Sequence, residues 1–325
     1  GYQFYPSSVN RGSTGLFQIF LSIKNLALIL RGLKPHTVHF VGLQNVFIGQ
    51  IASLFYPNAR VINGINGLGH MFGLPSLKNI ASRFICLLFL SILSKLKPST
   101  YLFQNTDDQK EFERAKVKMK DNHLIHGSGV DQSIFSPTPM PDIKDYLIVG
   151  MACRLIRIKG LMEIAKAMEL LAQQRVPIKL NIAGEIDRQN PGALNSQEVN
   201  FIRNQTNISL IGFVDDMPSF WSACHLATLP SLGGEGVPMS LIQPASMGRA
   251  LLSTNTSGNR DICVNGKNGF LAKPGSAPDL ANLLKQFAEN PRLLEEMGKR
   301  SIEHVGKGQF SSKAVQNKLL SVYSL

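Results

Sequence analysis

Short apolar segments that resemble strands alternate with helical segments along the whole chain of 325 residues. Strands separated by helices form parallel sheets whose faces the helices cover. A segment rich in Pro and Ser, 131–142, divides the pattern into two halves of ordinary domain size. The sequence therefore predicts an α/β protein with two doubly wound, Rossmann-like domains, at 1–135 and 136–310. A final helix, 311–325, is expected to return to the first domain.

The pattern also predicts individual elements, which differ in their strength of signal. In the first half we expect strands at 37–41, 60–65, 100–104 and 123–126. In the second half we expect strands at 146–151, 178–183, 208–210, 227–229 and 250–254, and helices at 159–173, 217–224, 239–247 and 277–288.

Charge is distributed unevenly between the two halves. No Asp or Glu precedes Asp107, whereas nine Lys and Arg residues lie in 1–106 and contribute +9 of the formal net charge of +12. This asymmetry predicts an anionic partner, such as an anionic membrane surface or a lipid-linked diphosphate. Ordinary solvated basic faces are the alternative. We expect no nucleic acid partner, because no helix-turn-helix or zinc-finger pattern is present.

The most apolar stretch of the chain is 84–93. It is shorter than the roughly 20 residues that a membrane-spanning helix needs. Because it is apolar nearly all round, we interpret it as a buried core helix. The alternative is a helix that lies in the plane of a membrane, with its flanking cations at the level of the headgroups. Those cations are Lys78, Arg83, Lys95 and Lys97.

Two glycine-containing turns after strands carry residue types that suit a nucleoside diphosphate. Arg154 and Lys159 lie in the first turn, where two cations can neutralise a diphosphate. Glu235 lies between glycines in the second turn, and the N–H groups of Gly236 and Val237 follow it at a helix start, where they can bind phosphate. A basic helix start and a capping carboxylate are the structural alternatives. We expect both turns to meet at the carboxyl edge of one sheet.

This constellation resembles that of the retaining glycosyltransferases of family 4, which have the GT-B fold, two Rossmann-like domains facing a central cleft. The resemblance covers nearly the whole chain and points to the bacterial subgroup that builds polysaccharides or undecaprenyl-diphosphate-linked glycans. It implies transfer of a hexose from a UDP-linked sugar to a polyprenyl-diphosphate-linked or polysaccharide acceptor, with no metal or other cofactor. It also implies a cytoplasmic enzyme that is peripheral on the inner face of the membrane.

The resemblance also implies roles for individual residues. Arg154 and Lys159 would bind the donor diphosphate, and Glu235 would contact the donor sugar near the reacting centre, so these three are the catalytic candidates. Further donor-binding candidates are Gly184, Phe213, Gly236, Val237 and Gln243. Candidates on the acceptor side are Gly67, Gly69, His70 and Asn105. For Phe213 and His70 a purely structural role is the open alternative.

One position departs from the family motif, which has a Glu, seven residues and a second Glu. Here Glu235 is followed at that spacing by Gln243. Glutamine accepts hydrogen bonds through its carbonyl oxygen but without the strength that a charge adds. A non-catalytic glycan- or nucleotide-binding relative is therefore the alternative, and a basic Rossmann-like nucleic-acid-binding protein is the third candidate.

The first residues, 1–11, resemble a later strand of a GT-B domain and the loop after it. A GT-B first domain opens with an earlier βα unit that has no counterpart here. We therefore expect an N-terminally incomplete chain whose first sheet has an exposed edge and whose cleft lacks one wall.

Overall fold

The structure, a computed structural model, describes residues 3–5, 15–69, 77–306 and 308–324. Within these ranges the chain forms two sheets of parallel strands, with helices packed on their faces. The α/β class and the two parallel sheets agree with the prediction from sequence. The segment 1–11 lies almost entirely outside the described residues, so the expectation of a missing βα unit stays a prediction.

The smaller sheet has four strands in the order β1-β2-β3-β4. Its strands are β1 Thr37–Val41, β2 Arg60–Ile65, β3 Ser99–Phe103 and β4 Met119–Leu124. Its helices are α1 Leu16–Leu33, α2 Leu43–Leu54, α3 Leu77–Leu96 and α4 Thr106–Arg114. Among the described residues β1 pairs with β2 alone, so it forms one edge of the sheet.

The larger sheet has six strands in the order β10-β9-β8-β5-β6-β7. Its strands are β5 Leu147–Ala152, β6 Ile178–Ala183, β7 Ile208–Gly212, β8 Leu226–Leu229, β9 Ala250–Thr254 and β10 Gly269–Ala272. Its helices are α5 Leu161–Gln173, α6 Ser196–Arg203, α7 Met217–Ser222, α8 Met239–Ser246, α9 Asn259–Ile262, α10 Ala277–Glu289 and α11 Arg292–Gly306. The last helix, α12 Ser312–Ser324, packs Val315 and Val322 against Ile62, Leu102 and Ile125 of the smaller sheet.

Three helices of the second half are absent from the prediction: α6, α11 and α9, which has only four residues. Helix α6 has only eight residues and begins with a capping box between Asn195 and Glu198. Helix α11 is rich in charged residues, which obscure the apolar positions Leu294, Met297 and Val305 that it buries. Most residues of α6 and α11 are polar and the buried apolar face of each helix is narrow, so the apolar periodicity in the sequence is weak.

Helix α3 contains the apolar stretch 84–93, and it differs from the prediction of a buried core helix. Leu87, Leu90 and Leu93 are buried, but a second apolar face is exposed. By length and composition alone, one helix of the described chain could cross a membrane, since its window Asn79–Leu96 has a mean hydropathy of 1.6 and is 28% buried. The apolar helix is longer than the stretch 84–93, because it extends on both sides of it.

Several cations of the acid-poor first half bind backbone carbonyl groups instead of carboxylates. The Lys97 ammonium lies at the end of α2, where it donates to three carbonyl oxygens, those of Ser53, Tyr56 and Pro57. Arg60 donates to the carbonyl of Val322 at 2.7 Å, near the end of α12. Arg83 forms an ion pair with Glu111. Lys97 and Arg83 are thus committed to contacts within the protein, unlike in the membrane alternative, whereas Lys95 is exposed.

Candidate functional site

The strand order of the larger sheet reverses between β5 and β8, and ligands of such sheets bind at this point on the carboxyl edge. The loop after β5 carries Arg154 and a short 3-10 turn, Arg157–Lys159. Gly160 follows with φ 76°, and a Cβ atom there would lie 1.9 Å from the carbonyl oxygen of Pro230. Glycine therefore lets the loop after β5 touch the loop after β8.

This contact brings Lys159 to Glu235. The Lys159 Nζ atom lies 2.7 and 2.9 Å from the two carboxylate oxygens of Glu235. Their side chains are only 18% and 12% exposed, so water screens the pair little. Burial raises the pKa of the neighbouring Cys153 thiol to about 12; Lys159 and Arg154 oppose this rise and Glu235 adds to it. The three catalytic candidates thus all act electrostatically on the Cys153 thiol.

Arg154 lies on the other side of this loop, where its Nη1 atom is 2.6 Å from Asp187 Oδ2. Its side chain is 54% exposed, so an incoming anion can reach the guanidinium. Gly184, with φ 137°, makes room for this arrangement, because a Cβ atom there would lie 1.9 Å from the Cys153 carbonyl oxygen. Asp187 lies three residues after Gly184 in the loop after β6, and sequence reasoning gave it no role.

A cavity of about 490 Å3 opens beside Arg154 at the ends of β5, β6 and β7. Its lining includes Gly184, Asp187, Phe213 and Met217. Phe213 is 69% exposed, which argues against the alternative of a packed strand end. An open, partly aromatic cavity next to a guanidinium has the chemistry to hold a planar base and an attached phosphate.

Gln243 is placed by a partner that the sequence does not reveal. Its Oε1 atom accepts a hydrogen bond of 3.2 Å from the indole N–H of Trp221, which is fully buried. The carbonyl oxygen that we expected to accept a bond from the donor is therefore already engaged. That oxygen has a second lone pair with which it can still accept from a ligand hydroxyl, and the side-chain NH2 group of Gln243 can donate to one.

Two acceptor-side glycines of the smaller domain lie against the loop that carries Glu235. Gly67 has φ 90°, and a Cβ atom there would lie 2.4 Å from the carbonyl oxygen of Gly234. The Gly69 N–H donates to the same oxygen at 3.3 Å. Backbone therefore meets backbone across the cleft. His70, the third candidate in this segment, lies outside the described residues.

The fourth acceptor-side candidate, Asn105, also contacts this loop. It is fully buried, caps α4 through Asp108, and its Nδ2 atom lies 3.2 Å from the Glu235 carbonyl oxygen and 3.4 Å from that of Gly236. Its neighbour Gln104 was not predicted to have a role.

Gln104 accepts the Val237 N–H at 3.1 Å through Oε1. The expected phosphate-binding N–H of Val237 is therefore not free in the structure. The position of Gln104 directly after a strand, at the carboxyl edge of the sheet, was the sequence feature that could have identified it as a site residue.

Acidic side chains of both domains also lie near this loop. Asp107 pairs with Arg260 at 2.6 Å. Burial raises the pKa of Asp108 to about 7, with the hydrogen bond from Asn105 opposing the rise and the charge of Asp107 adding to it. Burial likewise raises the pKa of Asp261 to about 6.

Within the described part of the chain no group of three or more His, Cys, Asp or Glu residues could hold a metal ion.

A profile of the family described as "Glycosyl transferases group 1" matches residues 140–304, which is half of the chain. The chain belongs to this family. The resemblance to family 4 glycosyltransferases is thereby confirmed, and the matched part contains Arg154, Lys159, Glu235 and Gln243.

Individual relatives and one solved structure agree. The capsular polysaccharide biosynthesis glycosyltransferase CapM of Staphylococcus aureus is 24% identical over 182 residues, 56% of this chain and 47% of CapM. This chain thus spans about half the length of that relative. The N,N'-diacetylbacillosaminyl-diphospho-undecaprenol alpha-1,3-N-acetylgalactosaminyltransferase of Campylobacter jejuni is 22% identical and covers 99% of this chain and 84% of its own. The crystal structure of Anabaena HepE with UDP and glucose has a TM-score of 0.75, at 17% identity over 97% of this chain and 84% of that one, which confirms the GT-B fold.

Proposed function

We propose that this protein transfers a hexose, with retention, from a UDP-linked sugar to a polyprenyl-diphosphate-linked glycan. The observation that carries this proposal is the joining of Lys159 to Glu235 at the switch point, directly against Gly67 of the other domain. A related structure contains UDP and glucose, and a relative is named for an undecaprenyl-diphosphate-linked acceptor. Both support the choice of substrates.

The chemistry follows from the charges. When the bond between sugar and nucleotide breaks, negative charge grows on the leaving phosphate. Arg154 and Lys159 can stabilise this charge more strongly than they stabilise the intact donor, which lowers the barrier. In the structure each cation is paired with a carboxylate, so the diphosphate has to compete with Asp187 and Glu235 for them.

The second candidate is a non-catalytic nucleotide- or glycan-binding relative, and the bond from Trp221 to Gln243 favours it. Gln243 is neutral and its carbonyl oxygen already accepts from Trp221, so a bond from a donor hydroxyl would lack the strength that a carboxylate gives. Such a protein would retain the cavity beside Arg154 and bind nucleotides without turnover.

We expect UDP-linked sugars to raise the midpoint of thermal unfolding, because a ligand that binds the native state alone stabilises it. The measurement is a screen of UDP- and GDP-linked sugars, followed by transfer to a synthetic polyprenyl-diphosphate-linked sugar detected by mass. Uridine and a sugar without nucleotide are the controls. Stabilisation without transfer to any acceptor tested would favour the non-catalytic relative, and no stabilisation by any nucleotide sugar would reject both the transferase and a nucleotide-binding relative.

We further propose that helix α3 seats the protein on an anionic membrane without crossing it. Its exposed large apolar side chains, two adjacent pairs among them, recur at intervals of three and four residues and therefore share one side of the helix. These side chains are Ile80, Phe84, Ile85, Leu88, Phe89, Ile92 and Leu96. The opposite face of α3 packs into the core of the smaller domain, so this apolar side lies on the protein surface and faces solvent. The positive charge of 1–106 favours an anionic bilayer over a neutral one.

We expect the protein to float with vesicles that contain anionic lipid, and Phe84→Asp to lower this binding about tenfold or more, since a buried Phe contributes roughly 1.5–3 kcal/mol. Phe84 is 67% exposed, so the substitution does not disturb the core. Leu320→Asp on α12, at a side chain that is 61% exposed, is the matched control and should bind like the wild type. The proposal would be contradicted if, at high salt, the protein floated with neutral vesicles as well as with anionic ones, or if Phe84→Asp had no effect.

A further inference from the structure

Gln104 connects the smaller domain to the loop that carries Glu235. It directly follows β3 at the carboxyl edge of the smaller sheet. Its Oε1 atom accepts the Val237 N–H at 3.1 Å and lies so close to Gly236 that a Cβ atom there would be 2.0 Å away. No larger residue fits at 236 while Gln104 holds this position.

The backbone on both sides of Glu235 is bonded to the smaller domain. Before it, the Gly234 carbonyl oxygen accepts the Gly69 N–H. At Glu235 itself the carbonyl oxygen accepts a bond from Asn105, while the carboxylate faces Lys159. After it, the Val237 N–H is taken by Gln104. A rotation of the Glu235 backbone would break at least one of these bonds.

We propose that Gln104 is a positioning residue that transmits the position of the acceptor-side domain to the Glu235 carboxylate through the Val237 amide. This inference rests on the proposed transfer reaction. Because the Val237 N–H is committed to Gln104, the donor diphosphate is held by Arg154 and Lys159 instead. Loss of the Gln104 bond then affects the alignment of Glu235 and leaves donor affinity intact.

The test compares Gln104→Leu, which removes the accepting oxygen at similar size, with Gln104→Glu, which keeps an oxygen at that place. Gln109→Leu is the matched control, since Gln109 is a half-buried glutamine of α4 that bonds Glu113 and Asn122 away from the loop. We expect kcat of Gln104→Leu to fall about tenfold, the equivalent of one hydrogen bond. The Kd for UDP and the unfolding midpoint should match those of the control, and Gln104→Glu should restore most of kcat.

Hydrogen exchange at the Val237 amide gives a second readout that needs no activity. It should be faster in Gln104→Leu and unchanged in Gln109→Leu. The inference is overturned if Gln104→Leu turns over at the wild-type rate, if the Kd for UDP weakens as much as kcat falls, or if Gln104→Glu is impaired equally. A wild-type protein without transfer activity rejects the proposed reaction, whereas unchanged exchange at Val237 rejects the coupling.

Discussion

Glycosyl transfer by Glu235→Gln is expected to fall about 10²- to 10³-fold, the range for loss of one preorganised electrostatic group at a reacting centre. The substitution keeps the shape of the side chain and removes its charge. Glu235 is 12% exposed and faces Lys159 at 2.7 Å, so the lost charge is poorly replaced by water. The bond from Asn105 to the Glu235 carbonyl and the bond from the Val237 N–H to Gln104 do not involve the Glu235 side chain and should hold the loop in place.

Initial rates with saturating donor and acceptor measure this effect. Glu198→Gln is the matched control, because Glu198 also pairs with a cation, Arg157 at 2.6 Å, and belongs to the neighbouring helix α6. The control should transfer sugar at the wild-type rate. A Glu235→Gln variant that does the same would show that this carboxylate has no part in the reaction.

The second large effect concerns the donor diphosphate. Arg154→Ala and Lys159→Ala should each weaken UDP binding by roughly 1.5–3 kcal/mol, the contribution of a hydrogen bond to a charged group. Binding of uridine should change little, because neither cation is expected to contact the nucleoside. Calorimetry with UDP and uridine on each variant gives the difference directly.

Arg157→Ala is the control for this pair, since Arg157 lies in the same 3-10 turn as Lys159 but binds Glu198. Its affinity for UDP should equal that of the wild type. If Arg154→Ala or Lys159→Ala lowered the affinities for UDP and uridine equally, the two cations would serve the fold and not the diphosphate.

Much of the site was predictable because its residues follow strands. Lys159 and Glu235 are 76 positions apart, yet each lies in a loop after a strand that flanks the switch point, and the parallel sheet brings these ends together. The glycine at 160 was part of the same signal, because no other residue allows the two loops to touch.

The partners of these residues were not predictable. Asp187 lies opposite Arg154, Trp221 opposite Gln243, and Gln104 opposite Val237, in each case because of a tertiary contact between loops or helices. Such contacts depend on how elements pack, and a single sequence carries no period or motif for them. The sequence left the outer face of α3 undecided for a related reason, since an apolar helix looks the same in sequence whether its second face meets the core or the solvent.

The glycines at 67, 234, 236 and 258 have a mechanical consequence. A Cβ atom at Gly67 would meet Gly234, one at Gly234 would meet Gly69, and one at Gly258 would meet the carbonyl of Gly236. At Gly67, Gly69 and Gly234 the backbones of the two domains touch directly, so the thickness of the bare backbone sets how narrow the cleft can become there, whereas the contact of Gly258 with Gly236 lies within the larger domain. A single methyl group added at Gly67 or Gly234 would keep the two domains farther apart and the cleft wider, without altering any charged residue in it.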